Sequence, residues 1–127
     1  MPTEHRILLC LAGVSMLVAT IGGALASHML TGVDEASLRS FETAVSFQFF
    51  QSLGLAAVVL VAERLGASVL LRAAAWLLVA GVLLFCGSIY AATLGAPRAT
   101  VALAPYGGVA LMVAWLLFAA GVWRRRT

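Results

Sequence analysis

Four long apolar segments, separated by short clusters of polar and charged residues, set the pattern of this chain. Each segment is close to the roughly 20 residues that an α-helix needs to cross the hydrocarbon core of a bilayer. The apolar residues stand in continuous blocks and do not alternate with polar ones, which excludes an outer-membrane barrel. We predict spanning helices at about residues 6–26, 43–62, 69–94 and 105–123, the second with an interfacial extension from residue 35.

The composition of the chain agrees with this pattern. Of its 127 residues, 63% are hydrophobic and 10% are charged, and the mean hydropathy of +1.07 lies far above that of soluble domains. The sequence therefore predicts an all-α integral membrane protein, a four-helix antiparallel bundle that forms a single transmembrane domain over residues 1–127.

The distribution of positive charge predicts the orientation of the bundle. The predicted helices place six arginines on the side of the termini and two on the other: Arg6, Arg64, Arg72, Arg124, Arg125 and Arg126 against Arg39 and Arg98. Basic residues accumulate in cytoplasmic loops, so we predict that both termini lie in the cytoplasm. The terminal arginine run is typical of a membrane-surface anchor, so the net charge of +3 does not indicate a nucleic-acid partner.

The first segment has two interpretations. Its ending, Ala24-Leu-Ala26, resembles a signal-peptidase site, which leaves a cleaved signal peptide as an alternative. Its apolar stretch of about 19 residues is longer than the roughly 7–15 of a signal peptide, so we interpret it as a transmembrane helix. Ala19, Gly22, Gly23 and Ala26 form a small-residue face that predicts close approach of another helix.

Other local signals mark turns and helix contacts. Gly32 is typical of a helix C-cap or turn, and Asp34 of an N-cap. We predict a short loop over residues 63–66 and a turn over residues 95–98. In the third segment, Gly87, Ala91 and Gly95 have small-xxx-small spacing, which predicts a close helix contact at that end.

One stretch of the second segment carries polar side chains into the apolar region. Gln51 and Ser52 follow Gln48 by three and four residues, so the three share one helix face. Because polar groups face lipid only at a high free-energy cost, we expect this face to pack toward helices three and four. Polar residues of all four helices are predicted to gather in the outer half. The candidate polar cluster or binding site is His28, Gln48, Gln51, Ser52, Ser88, Tyr90 and Tyr106.

This candidate cluster has two interpretations, of which we favour the first. It is an interhelical clamp, with each hydrogen bond contributing roughly 0.6–2 kcal/mol, or it lines a ligand pocket or polar path. His28 is interpreted as a helix-end residue, although a metal ligand, proton donor or headgroup contact is the alternative. A single imidazole is a poor transition-metal site, so we predict no metal and no cofactor.

Four ordered motifs resemble the signatures of one small family. They are Gly23-Ala-Leu-Ala-Ser-His28, Thr43-Ala-Val-Ser-Phe-Gln48, Leu84-Phe-Cys-Gly-Ser-Ile-Tyr90, and Pro105-Tyr-Gly-Gly108 with Trp115. Over nearly its whole length the chain resembles the YgdD-like DUF 423 family of bacterial inner-membrane proteins, related to the eukaryotic transmembrane protein 256. The resemblance implies a four-helix protein of the bacterial inner (plasma) membrane, with no established activity. It also implies Tyr and His where this chain has Phe47 and Gln51, so we do not expect a paired-histidine site with His28.

The position of the acidic residues bears on function. All five fall at segment ends: Glu4, Asp34, Glu35, Glu42 and Glu63. Proton-coupled transporters keep a titrating group inside the membrane, and catalysis needs a nucleophile–base pair or paired carboxylates, so neither class is favoured. We expect a non-enzymatic small protein of the lipid bilayer that acts by association, as an accessory subunit of a larger membrane complex or as a homo-oligomer. The alternative is binding or passage of a small neutral or lipid-like molecule through the polar cluster.

Overall fold

The structure is a computed structural model and describes residues 1–28, 31–66 and 68–124. Within these residues the chain forms four α-helices, one short 3₁₀ helix and no strand. The helices are α1 (Thr3–His28), α2 (Glu35–Leu65), α3 (Val69–Thr93) and α4 (Ala104–Arg124), and the 3₁₀ helix Arg98–Leu103 precedes α4. All four spans, the last measured from Arg98, are long and apolar enough to cross a membrane. The prediction of an all-α fold with four such helices is confirmed.

Consecutive helices run antiparallel, because short connections return the chain along the preceding helix. At one end of the bundle, His5 of α1 contacts Glu63 of α2, and Glu4 contacts Arg72 of α3. We call this the terminus end, where α1 and α3 begin and α2 and α4 end. We call the opposite end, where α1 and α3 end, the distal end.

The helices differ in how many neighbours they have. α3 packs extensively against both α4 and α2, whereas α1 packs mainly against α2 and touches α3 at only a few points. Aliphatic residues of all four helices fill the core: Leu8, Ala12, Leu55, Val58, Val59, Ala74, Ala75, Leu78, Leu111 and Ala114. Because α1 barely contacts α3, a groove remains between these two helices over one face of α2.

Glycines allow the closest helix crossings. A Cβ atom added to Gly107 of α4 would lie 2.8 Å from the carbonyl oxygen of Gly81 and 2.9 Å from Cα of Phe85 in α3. A Cβ atom added to Gly22 of α1 would lie 3.0 Å from Cγ2 of Val45 in α2. The predicted small-residue face of the first helix is therefore confirmed at Gly22.

The predicted close contact at Gly87 is wrong. A Cβ atom added there would meet nothing within 4 Å, because Gly87 lines the groove. α3 uses Gly81 for its crossing with α4, and Gly95 has a φ of +121° and lies beyond the end of α3. Small-residue spacing identifies a permissive face but does not say whether a neighbouring helix lies against it.

The helix ends follow ordinary capping chemistry. Asp34, the predicted N-cap of α2, accepts a hydrogen bond from the backbone nitrogen of Ser37 at 3.1 Å. Hydrogen bonds from the side chain and backbone of Ser37 hold the pKa of Asp34 below its ordinary value. α2 continues to Leu65, so most of the predicted loop is helical, and Gly66 ends the helix with a φ of +92°.

The connection before α4 contains an element that was not predicted. The 3₁₀ helix Arg98–Leu103 follows the predicted turn and continues into α4. It extends the fourth candidate span to 27 residues, comparable with the other three. Short 3₁₀ helices are common at helix N-termini, but their sequences carry little periodic signal.

Candidate functional site

A hydrogen-bonded network of four side chains joins α1, α2 and α3. Nε2 of Gln48 donates to Oγ of Ser15 at 3.0 Å, and the hydroxyl of Tyr90 donates to Oε1 of Gln48 at 2.7 Å. The hydroxyl of Ser52 donates to Oγ of Ser15 at 2.6 Å. We call Ser15, Gln48, Ser52 and Tyr90 the polar network. Because both ends of the Gln48 amide are bonded, this side chain links α1 to α3 through α2.

The polar network lies deep in the bundle, and its two α2 residues are buried. Gln48 is 5% exposed and Ser52 is 2% exposed. They lie one turn apart on α2, so both reach Ser15. Ser15 lies roughly 18–20 Å from either end of α1 at 1.5 Å per residue. Because Ser15 is part of it, the network extends from the distal half of the bundle to about the midpoint of α1. It therefore lies deeper than the predicted outer-half cluster.

Gln51 links α2 to α4. Its Oε1 accepts a hydrogen bond from Nε1 of Trp115 at 2.7 Å. The Trp115 ring also lies against Gly54, where an added Cβ atom would be 2.6 Å from the ring carbon Cη2. The indole N–H can only donate, so the oxygen end of the Gln51 amide faces α4.

The structure separates the predicted cluster into two groups. It brings Gln48, Ser52 and Tyr90 into one network and places Gln51 beside them on the groove. Three further predicted residues lie outside that network. Ser88 is buried and donates to the carbonyl oxygen of Phe85 in its own helix at 3.0 Å, while His28 and Tyr106 are exposed near the distal end.

Sequence reasoning missed two partners of this site, Ser15 and Trp115. The predicted packing of the helix-two polar face toward helices three and four holds for Tyr90 and Trp115. The prediction did not include α1, which contributes Ser15 to the polar network. A hydroxyl near the middle of an apolar segment was the available signal, because such a group needs a partner in a membrane.

The groove beside the polar network has a volume of about 260 Å³. Its walls are mainly aliphatic: Leu11, Val14, Val18, Leu55, Leu78, Val79, Val82 and Leu83. Its polar side, next to Cys86 and Gly87, is formed by Ser15, Gln48, Gln51, Ser52 and Tyr90. Cys86 is buried, and its Sγ lies 3.2 Å from the carbonyl oxygen of Ala44. None of the described residues that line the groove carries a formal charge.

The terminus end holds a second set of interhelical contacts that was not predicted. Nε and the terminal nitrogen Nη2 of Arg72 each donate to a carboxylate oxygen of Glu4 at 2.9 Å. Nδ1 of His5 lies 2.6 Å from Oε2 of Glu63, and the N-terminal ammonium of Met1 lies 3.8 Å from Oε1 of the same carboxylate. These contacts tie α1 to α2 and α3. Across residues 1–28, 31–66 and 68–124, no group of three or more His, Cys, Asp and Glu side chains is positioned to hold a metal ion.

Removing the charge of Arg72 is expected to have a small effect on stability. Arg72→Gln should lower the free energy of unfolding by about 0.5–1 kcal/mol, because the bidentate pair with Glu4 is partly exposed to solvent. Arg39→Gln, which removes the exposed pair within α2 between Arg39 and Glu35, is the control and should change stability by less than about 0.5 kcal/mol. Chemical unfolding in mixed micelles measures both variants, and a larger loss in Arg39→Gln would contradict the assignment.

Comparison with known proteins identifies the family. Residues 22–108, about two thirds of the chain, match the family model described as "Protein of unknown function (DUF423)". The chain belongs to the DUF423 family. The resemblance predicted from the four motifs is thereby confirmed, and the matched range includes Gln48, Gln51, Ser52 and Tyr90.

Two relatives show how far the similarity of this DUF423 protein extends. A UPF0382 membrane protein of Haemophilus influenzae is 32% identical over 120 residues, which cover 94% of this chain and 95% of the relative. The UPF0382 membrane protein YwdK of Bacillus subtilis is 30% identical over 113 residues, which cover 88% and 92% respectively. No solved structure matches the chain. This DUF423 protein is therefore a membrane protein with bacterial relatives, in a family of unknown function.

Proposed function

We propose that this DUF423 protein is a non-enzymatic membrane protein that binds a lipid-like molecule in the groove between α1, α2 and α3. The observation that carries the proposal is the groove itself, which has aliphatic walls and reaches both Gln48 and Gln51. Ligand sites are typically concave and mostly apolar, with a few placed polar groups. A simple interhelical clamp needs the hydrogen bonds of the polar network but does not need open space beside them.

The size of the groove limits what it holds. Pockets for drug-sized ligands measure roughly 300–1,000 Å³, and this groove of about 260 Å³ lies just below that range. It therefore suits a single ring or a segment of a chain, with the rest of the molecule continuing into the bilayer.

The chemistry of the groove supports a binding role over catalysis. The hydroxyls of Ser15 and Ser52 are bonded within the polar network. No described residue that lines the groove is a His, Asp or Glu that could activate them as nucleophiles. The lining offers neutral donors and acceptors, which position a ligand and do not transfer protons readily.

Association with a second copy or with a larger membrane complex is the second candidate function. Gly13 of α1 and Gly108 of α4 have open space where a Cβ atom would stand, with nothing within 4 Å. Gly13 and its neighbours Val14 and Leu17 are exposed on α1. Exposed glycines on membrane helices permit close approach of another helix.

The orientation and location are part of the same proposal. Arg6, Arg64 and Arg72 lie near the terminus end of the bundle, whereas Arg39 and Arg98 lie near the distal end. With Arg124 at the end of α4, this distribution favours a cytoplasmic terminus end in the bacterial inner membrane. Arg125 and Arg126, which entered the sequence prediction, lie outside the described residues.

The groove proposal is tested by filling the groove. Gly87→Leu places a large side chain at a position that lines the groove and has open space. We expect this variant to fold and to lose the co-purified lipid-like molecule by roughly tenfold relative to the wild type, because the added side chain occupies the site. Native mass spectrometry of protein extracted gently from its own membrane measures the retained fraction.

Gly13→Leu is the matched control for this experiment. It adds the same side chain at an open position on α1 that does not contribute to the groove lining. Under the groove proposal, Gly13→Leu retains the bound molecule. Equal retention in Gly87→Leu and the wild type would overturn the groove proposal, whereas a defined oligomer that is lost in Gly13→Leu would favour association.

A further inference from the structure

The amide of Gln51 has one bonded end and one free end. Its Oε1 accepts the hydrogen bond from Trp115, so Nε2 is directed away from that contact. Within residues 1–28, 31–66 and 68–124, Nε2 forms no hydrogen bond. Gln51 also lines the groove and is only partly buried. Gln51 therefore brings to the groove an amide whose two N–H donors have no partner among the described residues.

Three side-chain oxygens on the polar side of the groove already accept a hydrogen bond within the protein. Oε1 of Gln48 accepts from Tyr90, and Oε1 of Gln51 accepts from Trp115. Oγ of Ser15 accepts from both Gln48 and Ser52. The N–H donors of Gln51 have no such partner among the described residues, so a ligand that carries a hydrogen-bond acceptor fits this site.

The depth of Gln51 in the bundle and the uncharged lining of the groove restrict the class of ligand further. Trp115 lies near the middle of α4 and Ser15 near the middle of α1, so Gln51 stands near the centre of the bundle. A phospholipid keeps its headgroup roughly 15 Å away, at the surface of a hydrocarbon core that is about 30 Å thick. The described groove lining holds no cation to neutralise a phosphate or a fatty-acid carboxylate.

The geometry points to a neutral, carbonyl-bearing lipid as the occupant of the groove, specifically a lipid-soluble quinone. This inference rests on the proposed lipid-binding function and names its ligand class. A quinone carbonyl oxygen accepts from Nε2 of Gln51, the compact ring packs against aliphatic side chains such as Leu55 and Val82, and the apolar tail continues into the bilayer. A single ring also matches a groove of about 260 Å³.

The test compares two probes that differ in their carbonyl groups, using the full chain in lipid nanodiscs. Decylubiquinone carries two carbonyl and two methoxy oxygens on its ring, whereas decylbenzene has the same tail on a ring without any hydrogen-bond acceptor oxygen. We expect both to bind the wild type and Gly87→Leu to weaken both, as the proposed function requires. Gln51→Met, which keeps the length of the side chain but removes its donors, should weaken decylubiquinone binding roughly tenfold and leave decylbenzene unchanged. Native mass spectrometry titrations measure the affinity of each probe for the wild type and for the two variants.

Trp115→Phe distinguishes the role of the Gln51 N–H donors from the role of the hydrogen bond between Gln51 and Trp115. This variant removes the hydrogen bond to Oε1 of Gln51 but keeps Nε2. Decylubiquinone affinity should therefore stay within roughly threefold of the wild-type value. A loss as large as that in Gln51→Met would mean that the α2–α4 contact, and not the amide donor, controls binding, and would overturn the inference.

Infrared spectroscopy gives a readout that needs no variant. A hydrogen bond from Gln51 should shift a carbonyl stretching band of bound decylubiquinone to lower frequency than in protein-free nanodiscs. An unshifted band, or an unchanged affinity of Gln51→Met for decylubiquinone, overturns the quinone inference. In that case, binding of decylbenzene to the wild type still supports the proposed lipid-binding function. If neither probe binds the wild type, both the inference and the proposed function are overturned.

Discussion

Gly107→Ala is expected to destabilise the bundle by about 3 kcal/mol, the upper end of the usual range for overpacked interiors. The added methyl group would lie 2.8 Å from the carbonyl oxygen of Gly81 and 2.9 Å from Cα of Phe85, and it would also meet the backbone nitrogen of Phe85. These are backbone atoms, so no side-chain rotation relieves the contact. α4 must move away from α3, and the packing of neighbouring residues such as Leu111 and Ala114 is then lost along the crossing.

Gly108→Ala is the matched control, because a methyl group there meets no atom within 4 Å. Both glycines lie in α4, so both substitutions change the intrinsic helix propensity in the same direction and by about the same amount. The difference between the two variants therefore isolates the α3–α4 contact. Thermal unfolding in detergent micelles, followed by circular dichroism, measures it. Equal stabilities for the two variants would show that α3 and α4 do not cross at Gly107.

Gln48→Leu is expected to lower the free energy of unfolding by about 2 kcal/mol. The substitution removes the hydrogen bonds to Ser15 and Tyr90, and it leaves the hydroxyl of the half-buried Tyr90 without its acceptor. Single hydrogen bonds between membrane helices contribute roughly 0.6–2 kcal/mol, and an unsatisfied buried group adds to the loss. Leucine is more apolar than glutamine, so a gain in stability is expected only if Gln48 faces lipid.

A double-mutant cycle with Tyr90→Phe measures how much the hydrogen bond between Tyr90 and Gln48 contributes to the free energy of unfolding. If the bond exists, Gln48→Leu and Tyr90→Phe together should destabilise the protein by less than the sum of the single changes. Ser46→Ala, at an exposed position on the same helix, is the control and should change stability by less than about 0.5 kcal/mol. Additive effects in the cycle would contradict the hydrogen bond between Gln48 and Tyr90.

Much of the fold follows from local features of the chain. Hydropathy and segment length predict four helices, because a membrane-crossing helix must be both apolar and long. The caps at Asp34 and Gly66 depend on a few adjacent residues, although α2 extends into the predicted loop and ends at Leu65. The face that carries Gln48, Gln51 and Ser52 was also readable, because helical spacing alone puts these side chains together.

The candidate site was predictable only on the helix that carries most of its polar residues. Gln48 and Ser52 required partners, but nothing local to α2 identified Ser15 on α1 as one of them. Ser88 was grouped with Tyr90 by depth, yet it bonds within its own helix. Depth places residues at one level of the bundle, whereas the rotation of each helix decides which of them meet.

By itself, the sequence determined the class, the number of helices, the family and the need to satisfy a polar face within an apolar bundle. These properties depend on composition, spacing and motifs along the chain. Only the tertiary structure decided that Gly107 crosses α3 while Gly87 lines a groove, and that Ser15 and Trp115 meet the two glutamines. The physical reason is that, outside the polar face of α2, these helices carry apolar residues on nearly every side. Their rotations and crossing points are therefore set by packing between helices, which no single segment encodes.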